Sequence, residues 1–436
     1  MPTRSGSSSW STTATRQRWP RTTARRTTPR STTSTARRWR ATRVTTAHHQ
    51  CGHAGPKERD DACADAAVWG TVTDADTGSS VEGAEQVVDG DTPRDAGLEP
   101  AATAKASTSG DSPAVPWGVD RTGARQAHDA GHTGAGTDVY VIDTGIQADH
   151  ADLEPNLGTG HAVVDCLGLD CEKDWGDDDG HGTHVAGTIG ATDAGQIVGM
   201  APDVTLHAVK VLNALGAGST SDVIAGIDWV AGQAEDDPGA VVANMSLGGS
   251  GERTGACTDT GFRGEDSYHE AICAATHEGV VFTVAAGNSD EDAQASVPAA
   301  YHDAVLTASA TDETDKFAGF SNWGDDAFAW ALELADQPTP QSAPVALAAP
   351  GVDVASTWND GGTREASGTS MAAPHVGGGA ALVASARGIG GDDRQAFLDV
   401  RAALMSEAED TADFDDASSY DGQRQEGFLD MRFLAE

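Results

Sequence analysis

Between residues 137 and 286, short apolar runs rich in Val, Ile and Thr alternate with stretches of helical spacing, and this alternation restricts the fold more than any other feature. The runs lie at 137–142, 204–212, 241–247 and 280–286. Each has the length of a strand. Ser221 is expected to cap a helix carrying Val223, Ile224, Ile227 and Val230 on one face, and 266–277 reads as a further helix. Strand, helix, strand in repetition predicts an α/β fold in three layers, a mainly parallel sheet flanked by helices. Crossovers in such a sheet are right-handed, and ligands gather beyond the carboxyl ends of its strands. Polar residues at those ends are therefore the first candidates for function.

Asp143 directly follows the run 139–142, and Asn288 closes the run that starts at Val280. Two other segments pack small residues around reactive ones: Gly180-His181-Gly182-Thr183-His184-Val185-Ala186-Gly187 and Gly368-Thr369-Ser370-Met371-Ala372-Ala373-Pro374-His375. Small residues suit a helix start that approaches other backbone closely, and a serine at a helix N-terminus lies among amide donors at the positive end of the dipole. Pro374 places the start of that helix nearby, because proline fits a first turn better than a helix interior.

These residue types add up to one chemistry. A serine hydroxyl needs a base to take its proton, and an imidazole base needs a carboxylate to hold its tautomer and stabilise its charged form. Negative charge then builds on the substrate's carbonyl oxygen, to which the Asn288 amide and the Ser370 backbone N–H can donate. Asp143, His181, Ser370 and Asn288 are thus the expected catalytic residues. His184 and His375 are expected to be buried histidines with hydrogen-bonding roles. One competing reading is a non-catalytic scaffold, against which the intact constellation argues. Another is a metal site built from His181, His184, Asp177, Asp178 and Asp179, which would have no use for the serine segment.

The segments resemble the subtilisin-like serine proteases. The likeness runs from Pro116 to near the C-terminus and rests on three blocks, VIDTGI around Asp143, GHGTHVAGTI around His181 and GTSMAAPHV around Ser370. Asp, His, Ser is also the subtilisin order along the chain. The resemblance implies a serine endopeptidase in which Asp143 orients His181, His181 is general base and then general acid, Ser370 is the nucleophile and Asn288 steadies the oxyanion. It implies that Ser246, Leu247 and Gly248, with Ala285, Ala286 and Gly287, flank the P1 side chain of an extended polypeptide paired as an added strand. The small residues there imply a broad preference for apolar or aromatic P1. No cofactor is required for this chemistry and no residue is assigned to a metal. Structural calcium accords with the acidic loops, although Ala346 stands where the family often has a cation-binding aspartate. The connection between Gly324 and Ala348 is longer than usual for the family and reads as a surface loop.

Charge bounds the partners. With 28 basic against 67 acidic residues the chain carries −39, and only five of the basic residues are lysines. That charge repels nucleic acid and anionic lipid, and concentrated salt screens its self-repulsion. The expected protein is a halophilic, halolysin-like member of the family, a monomer acting on polypeptides, with neither nucleic acid nor membrane as partner. Residues 1–50 break the pattern, holding eleven arginines, no acid and 21 Ser or Thr. They read as a disordered basic segment, or as upstream sequence translated from a wrong frame or start. Neither Arg25-Arg26 nor Arg37-Arg38 is followed by the apolar run of an export signal, and no apolar run is long enough for a membrane span. Residues 51–113 form an acidic segment with a short β fragment at 68–78 and a linker from 103, and 114–436 form the catalytic domain. Among six cysteines, Cys166 with Cys171 and Cys257 with Cys273 are the expected local pairs. Such pairs, together with the habit of the family, place the protein outside the cell.

Overall fold

The computed structural model describes residues 86–88 and 114–436, apart from 166–172, 194, 237–238, 325–344, 392 and 410–425. The strands of the main sheet and the site are β1 (Gln86–Val88), β2 (Thr137–Asp143), β3 (Leu157–Ala162), β4 (Thr205–Lys210), β5 (Ala217–Ser219), β6 (Ala240–Met245), β7 (Gly249–Ser250), β8 (Val280–Ala285), β9 (Val305–Thr311), β10 (Leu347–Pro350) and β11 (Gly427–Phe428). The longer helices are α1 (His181–Gly190), α2 (Thr220–Asp236), α3 (Ser267–His277), α4 (Thr369–Arg387) and α5 (Gln395–Ser406). Eight strands make one sheet in the order β3-β4-β2-β6-β8-β9-β10-β11, and every neighbouring pair is parallel. The expected α/β architecture is the one observed.

Strand β2 shows why helices must cover both faces. Val139 and Val141 join the core that holds Val185 and Ile189 of α1 and Met371 and Val376 of α4. Tyr140 and Ile142, on the alternate positions, pack with Val223, Ile227 and Val230 of α2 and Ile272 of α3. Burying an aliphatic side chain of this size contributes about 1.5–3 kcal/mol, so each face holds its helices by many such terms.

The chain leaves β2 first toward β3 and β4 and later toward β6, on the other side. β2 therefore lies where the strand order reverses, and the crevice beyond its carboxyl end is the place this topology offers to a ligand. Among the described residues no helix is long and apolar enough to cross a membrane.

Several local expectations shift. The cap of α2 is Ser219, not Ser221: Ser219 Oγ takes Asp222 N at 3.3 Å, and Asp222 Oδ2 takes Ser219 N at 3.1 Å, a reciprocal capping box. The run expected as a strand at 241–247 ends as β6 at Met245, leaving Ser246 and Leu247 outside it, and Gly249 opens β7. Cys257 and Cys273 are joined, linking the short hairpin around Cys257 to α3. The basic segment 1–50, the β fragment at 68–78 and the pair Cys166 and Cys171 lie outside the described residues.

Candidate active site

β2 delivers Asp143 to its carboxyl end, fully buried. Asp143 Oδ1 accepts from Thr144 N at 2.6 Å and lies 2.8 Å from His181 Nδ1. Donation from Nδ1 to a carboxylate fixes the tautomer whose basic lone pair is on Nε2. His181 is the first residue of α1, and the start of that helix is tied down by Asp177. Asp177 Oδ1 accepts from Thr144 Oγ1, Asp179 N and Gly180 N at 2.9, 3.0 and 2.9 Å. Its Oδ2 accepts from the N and Oγ1 of Thr183 at 2.9 and 2.5 Å. A buried carboxylate with five donors at the positive end of a helix is an anion fully satisfied where it stands. Asp179 accepts from His181 N at 3.2 Å, and burial raises its carboxyl above the ordinary range. A Cβ at Gly182 would stand 2.2 Å from Gly145 O, so glycine is what lets α1 approach the exit of β2.

Ser370 is the second residue of α4 and is fully buried. Pro374 lies within that helix rather than at its start, a correction with a structural reason. Having no N–H, Pro374 leaves the Ser370 carbonyl without its helical donor four residues on. Ser246 Oγ supplies the donor instead, at 2.8 Å, and Ser370 Oγ in return donates to Ser246 O at 3.2 Å. Behind them, Asn244 Nδ2 donates to Ser246 Oγ at 2.9 Å and Thr283 Oγ1 donates to Asn244 Oδ1 at 3.0 Å.

Asn288 follows β8 across Gly287, whose φ of +106° is left-handed backbone that favours glycine. Asn288 Oδ1 accepts from Thr369 N at 2.9 Å and from Thr369 Oγ1 at 3.0 Å. Its carbonyl branch is thus committed to the residue before Ser370, which places Nδ2, the donor, on the opposite branch of the amide. The two stretches expected beside P1 leave neighbouring parallel strands: Ser246, Leu247 and Gly248 follow β6, Ala285 ends β8, and Ala286 and Gly287 continue it, with Val284 opposite Met245. Helices α1 and α4 pack together on the same face of the sheet. The expected residues thus stand at or just beyond the carboxyl ends of β2, β6 and β8 and in the first turns of α1 and α4.

The acids imagined as metal ligands are otherwise engaged. Asp177 caps α1, and Asp178 pairs at 2.7 Å with Lys210, whose side chain is wholly buried and also donates to Thr144 O and Leu212 O. His184 Nε2 bonds the Val354 carbonyl at 3.0 Å rather than joining His181. His375 Nδ1 likewise bonds Met371 O at 2.7 Å. Among the described residues, the group of three close enough to share an ion is Cys257, Cys273 and His277, and its two cysteines form the disulfide. Sequence reasoning overlooked the structural parts of Asp177, Thr144, Asn244, Thr369 and Asn322. Asp177 gave no local signal, since it stands three residues before the cap position Gly180 and reaches Thr183 N six residues on, beyond the two or three that an ordinary cap spans.

The chain is similar to several known proteins. Residues 134–423 match the subtilase family. Alkaline serine exoprotease A of Vibrio alginolyticus is 40% identical over 271 residues, covering 61% of this chain and 42% of that protein. Proteinase T of Parengyodontium album is 39% identical over 271 residues, covering 61% and 78%. The extracellular serine proteinase of Thermus sp. Rt41A is 40% identical over 280 residues, covering 62% and 57%. The matched part of the chain thus spans 42% to 78% of the length of these relatives. A cold-adapted subtilisin-like serine proteinase of known crystal structure superposes with a TM-score of 0.55 at 34% identity, over 72% of this chain and 97% of that one. The chain belongs to the subtilase family of serine proteases.

Proposed function

We propose that this chain is an endopeptidase that hydrolyses peptide bonds through an acyl-enzyme on Ser370. The observation that carries the reading is the joint placement of an Asp143–His181 pair at 2.8 Å and of Asn288 locked to Thr369, the neighbour of Ser370. In the proposed reaction His181 Nε2 takes the Ser370 proton as Oγ bonds the carbonyl carbon. Asp143 stays anionic and stabilises the imidazolium. The oxyanion accepts from Asn288 Nδ2 and Ser370 N, donors fixed before the charge appears. Collapse expels the amine, which leaves with the proton from His181, and water repeats the sequence on the ester. Side chains of the chain, with the backbone N–H of Ser370 and a water, would supply this chemistry.

The substrate reading rests on the edge strand β5. Residues 86–88 of the chain itself pair with it antiparallel, Gln86 opposite Ser219 and Val88 opposite Ala217. An edge that takes one extended segment offers the same main-chain donors and acceptors to a substrate. Gly248, Ala285, Ala286 and Gly287 present little side chain beside P1, which favours large apolar or aromatic residues there. The acidic composition supports work at high salt, and the naming of the Thermus relative as extracellular supports secretion of this chain. The protein would act as a monomer on polypeptides.

A fluorophosphonate probe tests the reading. It should attach to Ser370 of the full chain and to neither Ser370→Ala nor His181→Ala. Peptidase activity that disappears with a chelator, with no serine adduct formed, would overturn the proposal.

A further inference from the structure

We infer that Asn322 is a positioning residue that aims the oxyanion donor Asn288, an inference resting on the active-site reading proposed for Asn288. Asn288 stands on the loop 286–293, whose backbone takes uncommon conformations: Gly287 has φ +106° and Asp290, which carries a Cβ, has φ +54°. Such backbone persists only where its surroundings over-determine it. The segment 320–323 is that surrounding. Asp290 N donates to Phe320 O at 2.9 Å, Asn322 N to Gly287 O at 2.8 Å, Trp323 N to Glu291 O at 3.1 Å and Ala293 N to Trp323 O at 2.8 Å.

The side chain of Asn322, 1% exposed, completes the hold with every bond a carboxamide can make. Nδ2 donates to Ala286 O at 3.1 Å and to Ser296 Oγ at 3.2 Å. Oδ1 accepts from Ser289 N at 2.9 Å and from Glu291 N at 3.2 Å. These partners lie on both sides of Asn288 in the chain. An aspartate would bring no donor and a leucine neither donor nor acceptor, so the residue type follows from the site. Gly287 is shaped to it as well, since a Cβ there would stand 2.5 Å from Asn322 Nδ2. Asn288 is therefore held from two directions, by Thr369 through its own Oδ1 and by Asn322 through the backbone of the flanking Ala286, Gly287, Ser289 and Glu291. A donor that stabilises developing charge is effective only if it is aimed beforehand, and Asn322 sets that aim without touching the substrate.

Steady-state kinetics on a chromogenic peptide, with melting temperatures, should compare wild type, Asn322→Ala, Ser296→Ala and Asn288→Ala with the double variants. Asn322→Ala should lower kcat about 10-fold or more while KM changes less than about threefold, and Ser296→Ala, which removes one of the four partners, should lower kcat about threefold. In the Asn288→Ala background both effects should vanish, because the aim of an absent donor cannot matter. Equal factors in both backgrounds, or a wild-type kcat in Asn322→Ala, would overturn the inference. If Asn322→Ala does not fold, the Ser296→Ala pair decides in the same way. A wild-type kcat in Asn288→Ala itself would instead sink the active-site reading, and the positioning inference with it.

Discussion

His184 and His375 are fully buried, each with one ring nitrogen on a backbone carbonyl. Loss of water from the imidazolium pushes His184 down to about 3, with the nearby His181 adding to the effect, and His375 down to about 4. Both are therefore neutral when folded, whereas an unfolded histidine takes its proton near pH 6.5. Between those values the unfolded chain binds more protons, so the stability these two sites contribute is complete above about pH 6.5 and falls as the pH drops toward 4. At pH 5 each site has lost about 2 kcal/mol, an order-of-magnitude figure from the linkage relation. Urea unfolding at fixed salt should show this decline between pH 7.5 and pH 5, above the range where most carboxylates titrate. A flat profile across that window would remove both histidines from the account. The two were legible as buried histidines because each sits within two turns of a reactive residue on a small-residue helix. As candidates, Asp143, His181 and Ser370 were legible for the same local reason, since each block carries its own flanks, whereas Ser246, which bonds Ser370, lies far away in the chain. Lys210 with Asp178 and Asn322 with Ala286 join positions far apart in the chain, and no local spacing announces them.

At the scale of elements, the helix and strand pattern was readable where periodicity decided it and misread where a side chain substituted for a backbone bond. Pro374 appeared to mark a helix start because proline removes an interior hydrogen bond, and only the folded chain shows Ser246 replacing the donor. The expected cap Ser221 gives way to Ser219, because Asp222 bonds back to Ser219. Besides the bond of His277 Nε2 with Thr258 O at 2.9 Å and the ring contact of Phe262 with His269, the hairpin at 256–263 is attached to α3 in two further ways. One is the disulfide between Cys257 and Cys273, sixteen positions apart. The other is Asp303, which accepts from Cys257 N at 2.7 Å and pairs with His269 at 2.8 Å and Arg253 at 3.0 Å. Burial alone would raise the Asp303 carboxyl, but the His269 hydrogen bond and then the charges of His269 and Arg253 draw it down to about 2. Closing a loop of this length removes about 3 kcal/mol of entropy from the unfolded chain. Cys257→Ala with Cys273→Ala should therefore lower the unfolding free energy by about 3 kcal/mol, less any local relaxation. Because Asp303 still holds the hairpin, kcat of the folded variant should stay near that of wild type. A double variant as stable as the parent would show that the cross-link constrains nothing.

At the scale of the molecule, charge sets conditions that the fold alone does not. With 67 acidic against 28 basic residues, few carboxylates can find a cation. Among the described residues some cations are shared, as Arg121 is between Asp315 and Glu409, and Arg432 between Glu409 and Asp430. The remaining acids repel one another across the surface. Screening reaches about 10 Å at 0.1 M salt and about 3 Å at 1 M, so raising salt through that range removes most of the repulsion between neighbouring surface charges. The compact state gains more than the unfolded one, in which the same charges are already spread out. The melting temperature should therefore rise steeply between 0.1 M and 1 M NaCl, with each kcal/mol gained moving it by about 2–4 °C in a domain of this size. Sucrose separates this cause from general exclusion of solute, because it strengthens burial without screening charge. In 0.1 M NaCl, sucrose should recover only a minor part of the rise. A melting temperature that is unchanged or lower at 1 M NaCl, or one that sucrose raises as far as salt does, would mean that self-repulsion does not govern the stability of this protein.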